Sequence, residues 1–172
     1  MSHKILVAYA SRAGSTAGVA EAIGKTLSEN GAQVEVRPMQ DVKDLTPYGA
    51  VVAGSAIQAK QWLPEAMQFM QDHRAALGQK PFAAFTVCMT MTMKKEQYRQ
   101  GVKDWLAPVR ALVKPVSEGY FAGALQLNKV PHRRARWGFR LSVIFGVWAE
   151  KDYRDWDAIH AWAGELSPKL QG

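Results

Sequence analysis

The chain has a single cysteine, Cys88, among its 172 residues. One thiol excludes an internal disulfide and any metal site built from several thiolates. The four histidines, His3, His73, His132 and His160, are scattered without ligand spacing, so no metal site is expected. Long hydrophobic runs are missing too. No segment approaches the roughly 20 apolar residues that span a bilayer. The apolar stretch at residues 5–8 is too short for the core of a signal peptide. A cytoplasmic location is the simplest expectation. Low-complexity tracts and internal repeats are also lacking, and the length predicts one domain over residues 1–172, large enough for a substantial core.

One shortage is local. Between Gly119 and Ala149 there is no acidic residue, but there are five bases: Lys129, Arg133, Arg134, Arg136 and Arg140. The whole chain carries 22 Lys and Arg against 15 Asp and Glu, a net charge of +7, so this segment supplies most of the excess. A basic patch points to an anionic partner: a membrane surface, a nucleic acid or an acidic substrate.

What is present is an alternation of strands and helices. Residues 4–9 (KILVAY), 50–53 (AVVA) and 81–87 (PFAAFTV) are near-continuous apolar runs that suit strands buried on both faces of a parallel sheet. Residues 33–37 (QVEVR) alternate as a strand, and residues 116–125 (VSEGYFAGAL) read as the last core strand. Val19, Ala20, Ile23 and Leu27 recur at helical spacing, and Asn30-Gly31 is a C-cap signal. A second helix starts near Leu63-Pro64 and turns Ala66, Met67, Met70 and Leu77 inward. A third runs through Tyr98, Val102, Trp105, Leu106 and Val109, kinked or ended by Pro108. Residues 155–166 form the closing helix. This order predicts an α/β three-layer sandwich with a parallel five-stranded sheet. Ligands in such sheets sit beyond the carboxyl ends of the strands, which selects the loops at 11–16, 55–62 and 87–93.

The first loop, Ser11-Arg12-Ala13-Gly14-Ser15-Thr16, lies between a strand and a helix. Its hydroxyls and free backbone N–H groups at the positive end of the helix suit a monoester phosphate. A Walker A lysine and a G-x-G-x-x-G fingerprint are both absent. Taken alone, the loop could equally be a plain helix N-cap.

The segment AYASRAGSTAGVAEAI resembles the phosphate loop of flavodoxins, [ST]-x-x-G-x-T directly after a first strand. Within that group the chain is most similar to the quinone-dependent protoporphyrinogen dehydrogenases, through VVAGSAIQAKQW, FTVCM, and YFAGAL followed by a basic, Trp-bearing insert. The resemblance implies FMN, with its phosphate on Ser11, Arg12, Ala13, Gly14, Ser15 and Thr16. It also implies that Ser55, Ala56, Ile57 and Gln58, together with Val87, Cys88, Met89 and Thr90, flank the isoalloxazine. The family position filled here by Ala13 is often acidic, and losing that carboxylate should help phosphate binding. Trp62 is the aromatic expected beside the flavin; the alternative is a hydrophobic start to the next helix. Cys88, ending a buried strand, reads as a small hydrophobe rather than a nucleophile. No catalytic acid or base can be picked, since in a flavoenzyme the cofactor carries the hard chemistry.

The insert spans about residues 126–150. Drawn as a helix, it puts Trp137, Leu141, Ile144, Phe145 and Trp148 on one stripe, with Phe139 and Val143 opposite. Its bases and aromatics suit the interface of an anionic membrane. Lys129, Arg133, Arg134, Arg136 and Arg140, with Trp137, are therefore the expected membrane or substrate contacts. The arginines could instead pair with the carboxylates of a tetrapyrrole, or the segment could pack on the domain or form a dimer contact. Three function classes follow. The first is a peripheral-membrane FMN oxidoreductase resembling protoporphyrinogen dehydrogenase, in heme biosynthesis, with a tetrapyrrole substrate and a membrane quinone as partners. The second is a soluble flavodoxin-type electron carrier. The third is a non-enzymatic basic module, although no nucleic-acid partner is expected because that reading leaves the phosphate loop unexplained.

Overall fold

The computed structural model describes residues 4–130 and 133–171; His3 and His132 lie outside the described residues. Its strands are β1 (Lys4–Ala10), β2 (Gln33–Pro38), β3 (Ala50–Gln58), β4 (Gln61–Trp62), β5 (Phe82–Val87) and β6 (Ser117–Phe121). The helices are α1 (Ser15–Glu29), α2 (Pro64–Asp72), α3 (Arg74–Leu77), α4 (Glu96–Asp104), α5 (Ala107–Leu112), α6 (Arg133–Ile144) and α7 (Trp156–Leu170). Five strands pair in parallel in the order β2-β1-β3-β5-β6, and β4 folds back antiparallel on β3. The order reverses direction between β1 and β3, which creates a crevice at their carboxyl ends.

Both faces of the sheet are covered, which is why its central strands are apolar at most positions, with Ser55 and Thr86 as buried polar exceptions. Ile5 and Val7 of β1 pack with Ile23 and Leu27 of α1 and Ile159 and Leu166 of α7. Leu6 and Ala8 point the other way, into a cluster with Met70 of α2, Val109 of α5 and Leu106 just before it. Each such fully buried Leu or Ile contributes about 1.5–3 kcal/mol by leaving water. Gly24 of α1 matters for closeness: a Cβ there would meet Val36 of β2 at 2.4 Å, so only glycine lets helix and strand approach this far.

The second helix breaks at His73 into α2 and α3, the closing helix runs on to Leu170, and three further boundaries, all near the site, differ from the sequence expectation. The third strand does not stop near Ser55 but continues to Gln58, turns through Ala59 and Lys60 with φ of 50° and 63°, and returns as β4. Two non-glycine residues in left-handed conformation are costly, and no Asn-Gly signal marks the hairpin. The last core strand stops at Phe121; the chain after it pairs instead with the returning end of the insert, through Leu125 N–H to the Lys151 carbonyl (2.9 Å) and Tyr153 N–H to the Gly123 carbonyl (3.1 Å). The insert helix α6 ends at Ile144, because Gly146 (φ 69°) closes it with bonds from Gly146 N–H to Val143 and Val147 N–H to Ser142. Pro108 splits the 98–109 helix into α4 and α5 as expected.

Candidate functional site

A cavity of about 380 Å³ opens at the carboxyl ends of β1, β3 and β5. The loop between β1 and α1 forms one end of it. Gly14 occupies the N-cap with φ of 88°, and its N–H donates to Ser11 Oγ (3.0 Å). No side chain caps α1, so the first-turn N–H groups remain available to a ligand. Thr16 is fully buried, and among the described residues its Oγ1 is the buried side-chain polar atom without a hydrogen-bond partner. An unpaired buried hydroxyl costs about 1–3 kcal/mol unless a ligand completes it. A phosphate oxygen at the end of α1 would do so.

The ends of β3 and β5 bring Ala56, Ile57 and Gln58, then Val87, Cys88, Met89 and Thr90, to the same cavity as Ser11, Arg12, Ala13, Ser15 and Thr16. The Cys88 sulfur accepts from Thr90 N–H (3.3 Å), which shapes the turn after β5. Burial pushes the Cys88 thiol up from its ordinary pKa, so it is a neutral wall rather than a thiolate.

Three expected cofactor residues lie off the cavity surface. Gly14 acts from behind, through the backbone turn just described. Ser55 is fully buried; its hydroxyl donates to the Ala56 carbonyl (2.7 Å) and accepts from Leu63 N–H (3.0 Å), holding the hairpin to the start of α2. Trp62, expected beside the flavin, does not line the cavity. It is 2% exposed, and its indole donates to Thr86 Oγ1 (2.9 Å) inside the sheet. The short β4 strand aims it back into the core, and the loop on which that expectation rested is a hairpin.

The aromatic wall comes from elsewhere. Phe139 of α6 and Trp148 after it face the cavity, with ring centroids 6.1 Å apart, joined by Trp105 from the end of α4. The Trp148 indole donates to Thr92 Oγ1 (2.9 Å), which fixes the insert to the turn after β5. Trp148 therefore leaves the stripe drawn for it from sequence, because the helix has ended before it. The basic candidates Lys129, Arg133, Arg134, Arg136 and Arg140, and also Trp137, are exposed and do not line the cavity. Arg136 is tied down by donating to the Val130 carbonyl (2.9 Å). The outward side of α6 shows Trp137 (64% exposed), Leu141 and Ile144, followed by Phe145 (77%). Phe139, noted from sequence only as a flaw in the amphipathic pattern, was the readable signal for the inner face. Lys60 at the hairpin tip, Gly123 and Leu125–Gln126 gave none.

Two arginines flank the loop of residues 11–16, and each is paired. The Arg12 guanidinium binds both carboxylate oxygens of Glu65, at the first turn of α2, one of them at 2.9 Å, and holds that carboxyl below its usual range. Arg154 binds Asp152 at 2.6 and 2.8 Å and stacks on Trp156, 4.4 Å away, against Gly18 of α1. A Cβ on Gly18 would meet the Arg154 guanidinium at 2.5 Å.

Solved structures of low sequence identity share this fold. A flavodoxin from the domain Archaea is 18% identical with a TM-score of 0.58, over 98% of this chain and 99% of that one. The flavodoxin of Streptococcus pneumonia is 15% identical with a TM-score of 0.60, over 97% and 99%. The flavodiiron protein from Giardia intestinalis matches 98% of this chain with 36% of its own, at 16% identity and a TM-score of 0.59. No curated protein matches the chain significantly in sequence. The model of the flavodoxin domain matches residues 6–137, most of the sheet together with the phosphate loop. With that match, and with a cavity whose unpaired Thr16 hydroxyl suits a phosphate, the chain belongs to the flavodoxin domain family and carries its FMN-binding fold.

Proposed function

We propose that this chain is an FMN-dependent electron-transfer protein. The observation that carries the reading is the buried, unpartnered Thr16 hydroxyl at the uncapped start of α1, beside the hydroxyls of Ser11 and Ser15. FMN, when bound, supplies reversible one- and two-electron chemistry. The chain's own part is positional. The loop of residues 11–16 would hold the phosphate, and the ends of β3 and β5 would flank the ring. Phe139 and Trp148 keep water from the outer side, while the neutral Cys88 thiol adds no charge.

A narrower reading has its own support. The outward face of α6 combines exposed Trp137, Ile144 and Phe145 with Arg133, Arg134 and Arg140, and no acid interrupts them. That chemistry suits the boundary between anionic headgroups and acyl chains. Among the described residues no helix is long and apolar enough to cross a membrane. On this reading the protein works at a membrane surface, oxidising a reduced tetrapyrrole (protoporphyrinogen) and handing electrons to a quinone. Each arginine near an anionic surface is worth about 1 kcal/mol. Changing Arg133, Arg134, Arg136 and Arg140 to Gln should release the protein from anionic vesicles and leave FMN bound. High salt should act likewise, because exposed charges are screened over about 10 Å at 0.1 M. If vesicle binding survives while tetrapyrrole oxidation slows in detergent, the arginines pair with substrate. If both survive, the carrier reading stands alone.

A further inference from the structure

Both cations beside the phosphate loop are already neutralised, Arg12 by Glu65 and Arg154 by Asp152. The pairs differ in what they can release. Arg154 is pinned three ways: by Asp152, by its stack on Trp156, and by its close approach to Gly18 in the first turns of α1. Arg12 is different. It stands on the phosphate loop itself, lines the cavity, and is held by Glu65 alone, in a pair in which both side chains are about one-third exposed. No other acid of the described residues bonds it.

We infer that Glu65 is an affinity-setting residue of the phosphate subsite: its carboxylate competes with the cofactor's phosphate for the Arg12 guanidinium. The inference rests on the FMN reading above and adds a residue from α2 to it. A guanidinium matches a carboxylate and a phosphate with the same two-pronged geometry, so one anion occupies the face the other would use. While Glu65 holds Arg12, the phosphate is left to neutral donors: the Thr16, Ser15 and Ser11 hydroxyls and the first-turn N–H groups of α1. Glu65 also adds a negative charge near an incoming group that carries about −1.5 to −2. The arrangement moderates the hold on a phosphorylated flavin and leaves the ring contacts untouched.

The test compares FMN with riboflavin, which has the same ring and no phosphate. Flavin-fluorescence titrations of the full chain would be run on wild type, Glu65→Gln, Glu65→Ala, Arg12→Gln and the double variant Arg12→Gln/Glu65→Gln. Glu65→Gln and Glu65→Ala should each tighten FMN by roughly two- to fivefold, the size of one partly exposed charge interaction, and leave riboflavin unchanged. Arg12→Gln should weaken FMN, because it strips the carboxylate of its partner, and the double variant should return close to wild type. Weaker or unchanged FMN binding in both Glu65 variants would overturn the inference, since Glu65 would then orient Arg12 onto the phosphate or be a bystander. Equal tightening of riboflavin would overturn it as well, by placing the effect at the ring. A wild-type chain that binds neither flavin would instead remove the FMN reading on which the inference stands.

Discussion

The two sides of the cavity are built on different principles. On one side, the phosphate loop and the ends of β3 and β5 rest on a core that is packed on both faces of the sheet, and Thr16 and Ser55 are themselves fully buried. On the other side, α6 buries none of its described residues and holds to the domain by Phe139, Trp148 and the Trp148–Thr92 bond. A wall that must match a fixed group such as a phosphate gains from rigidity, because its donors are oriented before the ligand arrives. A wall that touches a second surface is better kept shallow and adaptable. The α6 helix turns Phe139 to the cavity and Trp137, Leu141 and Ile144 to solvent.

The comparison breaks most easily on the rigid side. A Cβ on Gly54 of β3 would lie 2.0 Å from the Phe85 ring, which is itself packed against Trp162. Gly54→Ala should cost about 3 kcal/mol, at the upper end for overpacking, and thermal or urea unfolding measures it directly. An unaltered midpoint would mean the support behind the β3 wall is soft. Thr16→Ala separates ligand from fold. FMN affinity should fall by about 1.5–3 kcal/mol, while the flavin-free chain should lose only the roughly 1 kcal/mol that one buried methyl is worth, because the lost hydroxyl has no partner there. A much larger loss of stability in that chain would make Thr16 a packing residue.

Acid sharpens the contrast further. Glu35, at the outer edge of the sheet, is pulled from 4.5 to about 2, chiefly by Lys4 and then by Tyr48 and Arg37. A lowered folded-state value means that its contribution is complete above about pH 4.5 and is lost as pH falls towards 2. Because the pair is partly exposed, about 1 kcal/mol is at stake, and Glu35→Gln should flatten the stability slope in that window. Residues 119–149 contain no acid, so α6 should show no such slope of its own. The smallest effect belongs to that helix. Gly138 lies inside α6 with open space around a would-be Cβ. Gly138→Ala should raise amide protection in α6 by at most about 1 kcal/mol without moving the global midpoint.

The rigid side was largely legible in the sequence, because its signals are local. The apolar runs of β1, β3 and β5, the Asn30-Gly31 stop and the loop of residues 11–16 each announce themselves within a few residues. The aromatic wall was not legible. Whether Trp62 or Trp148 faces the cavity depends on a hairpin closed by Ala59 and Lys60 against their backbone preference, and on a helix stopped by Gly146. Both are tertiary outcomes. The partner of Arg12 was equally hidden, since Glu65 lies 53 positions away.

The most direct measurement is a titration of the purified full chain with FMN, riboflavin and FAD, followed by flavin absorbance and fluorescence. A cavity that holds its ligand by the phosphate at Thr16 should bind FMN at one per chain and more tightly than either of the others. Equal affinity for FMN and riboflavin, preference for FAD, or no binding of FMN would contradict it.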